Sequence, residues 1–126
     1  MKLLLRREQK SGMLSSKITF ILDVRAELSE KEKTDIKKYK MGDMVLYSKK
    51  EYAGPTEGFK GLAASLAFRM LNLSVDVDDL SNGKKIDCKD IVEMLAAEQQ
   101  VKEAAQILKN VLQAASNFGG EEVIEI

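Results

Sequence analysis

Residues 87–118 have the sequence DCKDIVEMLAAEQQVKEAAQILKNVLQAASNF, which predicts one long amphipathic helix. At about 100° per residue, apolar side chains fall on one side, and polar ones, among them Glu98 and Lys102, fall on the other. Asp87 is placed to cap the free amides of the first turn, and Gly119-Gly120 can adopt the left-handed conformation that ends a helix. The segment therefore predicts a helix with one buried side and one solvent-facing side.

The apolar side of this helix is a candidate surface for self-association. Its residues repeat every seven positions, a period that favours wrapping around a partner. A helix of about thirty residues extends about 45 Å, whereas a compact chain of this length is roughly 36 Å across. Either the helix bends over its own sheet, or one end projects and a second subunit covers it. The residues that would form the second contact are Met94, Ala97, Val101, Ala104, Leu108, Val111 and Ala115.

The composition is that of one ordinary soluble domain. The 126 residues are 44% apolar and 32% charged, which is enough apolar material for a real core. The apolar run Leu3–Leu5 is too short for a signal peptide or a membrane span, and a single cysteine cannot form an internal disulfide. We therefore expect a single domain over residues 1–126, located in the cytoplasm and not in a membrane.

The chain before the long helix predicts an antiparallel sheet. Residues 17–28 alternate between apolar and polar side chains, so one face of this strand is buried and the other is solvated, as is typical of antiparallel sheets. Asn82-Gly83 is a strong hairpin signal between two further strands. The other predicted strands cover 2–9, 44–48, 71–77, 84–87 and 121–126.

A short helix is predicted to follow the alternating strand. Ser29 and Glu32 have the spacing of a capping box, in which each side chain binds the backbone amide of the other residue. Residues 49–61 predict a long loop, and residues 62–71 fit either a helix or a strand. The predicted fold is therefore α+β: an antiparallel sheet of four to six strands, with the long C-terminal helix and one or two shorter helices packed on one face.

The sequence contains few of the residue types and spacings that are typical of enzyme active sites. The chain has no histidine, which excludes histidine general bases, histidine metal sites and the triads that depend on histidine. The spacing of Gly54, Gly58 and Gly61 fits neither a dinucleotide-binding nor a phosphate-binding loop. Cys88 lies between Asp87 and the nearby Asp90, whose charges oppose a thiolate, so an inert thiol is expected. No cofactor is predicted.

Asp76, Asp78 and Asp79 form the one acidic cluster that suggests a metal site. Hard cations such as magnesium and calcium bind several carboxylate oxygens. The spacing does not fit a calcium loop, and on a strand Asp76 and Asp78 would share a solvent-facing side. The sequence thus leaves two readings, a solvated strand face or a metal site supported by Asp87 or Asp90.

The basic residues are concentrated in the first half of the chain. Residues 1–60 contain 14 basic and 9 acidic residues, whereas residues 61–126 contain 6 and 11. Lysines interleaved with Tyr39, Tyr47 and Tyr52 could follow a phosphate backbone while the rings stack on bases. They could equally form a solvated helix end and strand edge. The lysines in question are Lys37, Lys38, Lys40, Lys49 and Lys50.

These patterns favour a binding role over an enzymatic one. The leading hypothesis is a non-enzymatic protein-interaction module that forms a homo-oligomer through its long helix or through an exposed sheet edge, and another protein is a possible partner. The first alternative is binding of a nucleic acid or other polyanion through residues 37–60. The second is a metal-dependent enzyme that uses the carboxylates of Asp76, Asp78 and Asp79.

Overall fold

The order of helices and strands confirms the α+β class. The computed structural model describes residues 1–11, 18–48, 73–118 and 123–126. Its strands are antiparallel, and a long helix lies near the end of the chain. In chain order the elements are β1 (Lys2–Ser11), β2 (Ile18–Glu27), α1 (Glu30–Lys38), β3 (Val45–Ser48), β4 (Ser74–Asp76), α2 (Val77–Asn82), β5 (Lys84–Cys88) and α3 (Ile91–Ser116).

The described strands form two sheets, so the predicted single sheet of four to six strands is wrong. One sheet has three strands in the order β1-β2-β5, and the other pairs β3 with β4. The predicted hairpin at Asn82-Gly83 is also wrong, because Asn82 ends α2 and Gly83 caps it with a φ of +94°. β4 pairs with β3 and β5 pairs with β2, so the strands on either side of α2 belong to different sheets.

β2 is the central strand of the larger sheet. Leu22, Val24 and Ala26 are buried on the face that also carries Ile86 of β5, which lies opposite Leu22. This face packs against α3. The alternation of apolar and polar residues in the sequence therefore identifies the inward side of β2 correctly. Ile21 is buried as well, although it points to the other face.

The long helix begins at Ile91, later than predicted. Asp90 is its N-cap, and its carboxylate accepts a hydrogen bond from the Glu93 amide at 2.8 Å. The predicted cap, Asp87, lies within β5 opposite Ile21. Pairing with β2 keeps residues 84–88 extended, so the helix cannot start before this strand ends. The predicted stop, Gly119-Gly120, lies outside the described residues.

Helix α3 is the element that joins the two sheets. It packs against every described strand and against α1. Its 26 residues extend about 39 Å. Its apolar side, together with the inward residues of both sheets, forms the hydrophobic core. A helix of this length is therefore needed to cover two sheets within one chain.

Helix α1 is fixed at its start by the predicted capping box, which the structure confirms. The Ser29 hydroxyl accepts from the Glu32 amide at 3.2 Å, and the Glu32 carboxylate accepts from the Ser29 amide at 2.9 Å. Beyond the C-terminal end of α1, the Tyr39 ring contacts the Phe118 ring edge-on, with 5.9 Å between centroids. The residues just beyond α1 are thus packed against those just beyond α3.

Three predicted segments lie wholly or partly outside the described residues. The predicted loop 49–61 and the ambiguous segment 62–71 lie outside the described residues. Of the predicted strand 121–126, residues Val123–Ile126 are described, and they have no regular secondary structure. These four residues are exposed.

Candidate interaction site

An open groove lies between β1, β2 and the first two turns of α3. Its volume is about 310 Å³. β1 supplies its polar wall, because Arg7 and Gln9 lie directly opposite Leu22 and Phe20 in the antiparallel register and so share the face that α3 covers. The groove is lined by Arg7, Glu8, Gln9, Phe20, Ile91, Met94 and Leu95.

An ion pair between Arg7 and Glu98 links the wall of this groove to α3. Arg7 donates two hydrogen bonds, from Nε to Oε1 of Glu98 and from an Nη to Oε2, the latter at 2.9 Å. The Arg7 side chain is 65% exposed, whereas that of Glu98 is only 4% exposed. The hydrogen bond that Arg7 donates to Glu98, and then the negative charge of Glu98, raise the pKa of Arg7. A fork-shaped pair of this kind fixes both position and orientation, so it ties the edge strand to the helix.

Exposed apolar side chains make the groove unusual for a solvent-facing surface. Ile91 and Leu95 are 59% and 47% exposed and lie one helical turn apart at the start of α3. Ile18, also exposed, lies two residues before Phe20 on the same face of β2. Contiguous exposed apolar residues with polar neighbours are a common feature of interaction sites. The groove therefore combines an apolar floor with a charged rim.

Among the described strands, β1 beside the groove forms an edge of its sheet. Its ten residues pair with β2 on one side, and no other strand among the described residues pairs with the second side. Four of these ten residues are basic and one is acidic. An unpaired edge offers backbone amides and carbonyls to another chain. The charges on β1 limit which chain can pair there.

The predicted self-association residues on α3 lie mostly in the core of the chain. Met94, Ala97, Val101, Ala104 and Leu108 are buried by the two sheets. The last two residues of the set, Val111 and Ala115, are partly exposed. Five of the seven residues thus contact the sheets of their own chain, and self-association through this face stays a prediction.

The predicted polyanion-binding lysines are only partly described. Lys37 and Lys38 end α1, and Lys40 follows with a φ of +52°, whereas Lys49 and Lys50 lie outside the described residues. Of the accompanying rings, Tyr47 is fully buried and cannot stack on a base. Tyr39 contacts the Phe118 ring. Binding of a polyanion stays a prediction, but Tyr47 cannot be one of the rings that stack on bases.

Two members of the predicted acidic cluster cap a helix. Asp76 is the N-cap of α2, and it exchanges hydrogen bonds with Asp79, amide to carboxylate in both directions, at 2.7 and 2.9 Å. Lys84 lies 3.5 Å from the Asp79 carboxylate. The expectation that Asp76 and Asp78 share a strand face is wrong, because the chain turns into α2 after Asp76. Within the described residues, no group of three acidic, cysteine or histidine residues could hold a metal ion.

Cys88 ends β5, and its thiol is buried. Burial, followed by the charges of Glu93, Asp87, Asp90 and Glu98, raises the pKa of Cys88 to about 11. At neutral pH the thiolate fraction is therefore very small, and the side chain has the inert character that its acidic neighbours predict.

Sequence reasoning missed Arg7 and Glu98. Helical periodicity placed Glu98 on the solvent-facing side of α3 near Lys102, but the structure buries it against Arg7. A signal was present in β1, where Leu3, Leu5 and Arg7 alternate on one face. An arginine at an inward-facing position can bind an acidic residue on the element that covers the sheet.

None of the helices in the described part of the chain is long and apolar enough to cross a membrane. Comparison of this chain with protein-family models, with curated proteins and with solved structures found no match.

Proposed function

We propose that this protein is a non-enzymatic protein-interaction module that self-associates through the edge of β1 and the groove beside it. The observation that carries this proposal is the pair of exposed apolar side chains, Ile91 and Leu95, next to a ten-residue strand whose second side pairs with no strand among the described residues. Burial of two aliphatic side chains of this size contributes about 1.5–3 kcal/mol each when it is complete. Backbone hydrogen bonds along a strand edge would add to the contact and fix its direction.

The charge pattern supports association of like copies over capture of an arbitrary apolar segment. The first sixty residues are net basic and the remainder is net acidic, so one copy carries both signs needed by another. Complementary charges at the rim of an interface steer the partners together and disfavour wrong ones. The apolar groove provides the affinity and the rim provides the selectivity.

The oligomeric state in solution tests this function. We expect sedimentation velocity over a range of micromolar concentrations to show a reversible monomer–dimer or higher equilibrium. Leu95→Glu should shift the equilibrium strongly toward monomer, because it places a charge in the apolar part of the groove. Ile107→Glu is the matched control, since Ile107 is also an exposed aliphatic residue of α3 but does not line the groove. A wild-type protein that stays monomeric at every concentration would refute the proposed function.

A further inference from the structure

We infer, building on the proposed function, that the groove and β1 edge of one copy bind the segment Val123–Ile126 of a second copy. This segment has the sequence Val-Ile-Glu-Ile, and we call it the VIEI segment. Its apolar residues are among the most exposed of the described chain, and it has no regular secondary structure. An exposed apolar segment and an exposed apolar groove therefore occur in the same molecule.

The spacing of side chains in the VIEI segment matches the groove. In an extended conformation, Ile124 and Ile126 point to the same side and lie about 6.6 Å apart. Ile91 and Leu95 lie four residues apart on α3, a rise of about 6 Å. Two isoleucines of an added strand can thus contact two aliphatic residues of the groove in register.

The charges of the two surfaces are complementary. Residues 119–126 contain three glutamates and no basic residue, whereas β1 contains four basic residues and one acidic residue. Glu125 would point away from the two isoleucines, toward the basic side chains that border the strand. That side of β1 carries Lys2, Arg6 and Lys10, because Arg7 and Gln9 lie on the face covered by α3.

The same charges oppose the simplest alternative, the pairing of β1 with β1 of another copy. In an antiparallel pair related by a two-fold axis, registers centred on Arg6 or Arg7 place a guanidinium opposite its own equivalent. Like charges directly opposite each other destabilise a strand pair. An acidic strand such as the VIEI segment avoids this repulsion.

The VIEI segment of one chain is too short for both of its isoleucines to reach the groove of that chain. The contact between Phe118 and Tyr39 fixes the chain just beyond the end of α3. Ile124 and Ile126 follow Phe118 by six and eight residues, which span at most about 22 Å and about 29 Å when fully extended. Leu95 lies 21 residues before the end of α3 at Ser116, a distance of about 31 Å along the helix. A fully extended segment of the same chain would bring Ile126 near Leu95 but would leave Ile124 short of it, so contact of both isoleucines with the groove favours a second copy.

Mixing two complementary variants tests this arrangement. One variant, Leu95→Glu, has a defective groove and an intact VIEI segment. The other carries Ile124→Ser and Ile126→Ser and has an intact groove. We expect each variant alone to dimerise about tenfold or more weakly than the wild type, because each lacks an apolar anchor. An equimolar mixture should recover a heterodimer, because one groove and one intact segment remain. Val123→Ser is the control, since Val123 is also exposed but would point to the other side of the added strand.

The outcomes separate this inference from the proposed function. If the Ile124→Ser, Ile126→Ser variant dimerises as well as the wild type, or if the mixture does not recover association, the VIEI segment is not the occupant, and the proposed function stands on other contacts. If the wild-type protein itself is monomeric at every concentration, the proposed function falls, and the inference falls with it. Circular dichroism of each variant should match that of the wild type, because all of the substituted side chains are at least partly exposed.

Discussion

Replacing Leu108 by alanine tests whether the apolar side of α3 stabilises one chain or joins two. Leu108 is fully buried, with 0% of its surface exposed, and it belongs to the core formed with both sheets. Its neighbour Ile107 is 42% exposed on the same helix. The two residues have the same number of carbon atoms, so Ile107→Ala is a matched control for the chemical change.

The expected cost follows from the burial of each side chain. Leu108→Ala removes three buried carbon groups, worth about 2.4 kcal/mol of transfer free energy, and it leaves a cavity that raises the total to about 3.5 kcal/mol. Ile107→Ala exposes less new apolar surface and leaves a site open to water, and alanine is the better helix former, so its cost is about 1 kcal/mol. With an unfolding entropy of about 2.1 cal/mol/K per residue, these costs lower Tm by about 13 °C and 4 °C.

Urea unfolding followed by circular dichroism, at low and at high protein concentration, measures both effects. We expect the difference between the two variants to be the same at each concentration, because a core contact within one chain does not depend on a partner. Equal costs for the two variants would contradict the assignment of Leu108 to the core. A cost of Leu108→Ala that appears only at high concentration would restore the apolar side of α3 as an interface between copies.

Three further predictions concern polar groups. Gln100 is buried, and neither polar atom of its amide has a hydrogen-bond partner in the described part of the chain. Gln100→Met should therefore raise the free energy of unfolding by about 1 kcal/mol, and a fall in Tm would contradict this. Burial tends to raise the pKa of Glu32, but hydrogen bonds from Ser29 and the N-terminal ammonium lower it overall. The contribution of Glu32 to stability is therefore present above about pH 4.3 and is lost as pH falls through the folded-state pKa. Acid titration of Tm should therefore show a smaller loss for Glu32→Gln than for the wild type. The pKa of the Cys88 thiol is raised to about 11, so in the folded protein at pH 8 it should react with iodoacetamide at least about a hundredfold more slowly than a free cysteine. In urea it should react at the ordinary rate. Fast labelling of the folded protein would contradict the burial of Cys88.

Local chemistry is the part of the fold that the sequence predicts well. The Ser29–Glu32 capping box and the inward face of β2 depend on residues within a few positions of each other, and the structure confirms both. The same type of local signal was present at Asp76 and Asp79, where aspartates three residues apart form a second capping box. The predicted hairpin at Asn82-Gly83 requires a strand before it and so leaves no place for this helix.

Pairing between distant strands is the part that local signals cannot predict. Asn82-Gly83 would join two adjacent strands only if both had free edges facing each other. β5 instead pairs with β2, about sixty residues earlier in the chain, and β4 pairs with β3. Those contacts place the strands on either side of α2 in different sheets, and the same pairing with β2 delays the start of α3 from Asp87 to Ile91. Strand order depends on which edges meet during folding, and sequence periodicity carries no information on that.

The groove could be predicted only in part, for a related reason. Helical periodicity separates the two sides of α3 but does not tell which polar residue at the boundary will be covered. Glu98 is buried because β1 lies over that boundary and presents Arg7 to it. The sequence does not predict the exposure of Ile91 and Leu95, because this exposure depends on where β1 and β2 end relative to the first turns of the helix. These are properties of the packing of three elements and not of any one segment.

The length of α3 does not require a partner, whereas the exposed apolar residues near its two ends support the proposed one. A helix of about 39 Å is explained by the two sheets and α1 that it covers within one chain. Its first turns leave Ile91 and Leu95 exposed, and the chain beyond its last turn leaves the VIEI segment exposed. The exposed groove and the exposed VIEI segment thus follow opposite ends of the helix. Two copies with their long helices antiparallel would bring each groove to the partner's VIEI segment and close the assembly with two-fold symmetry.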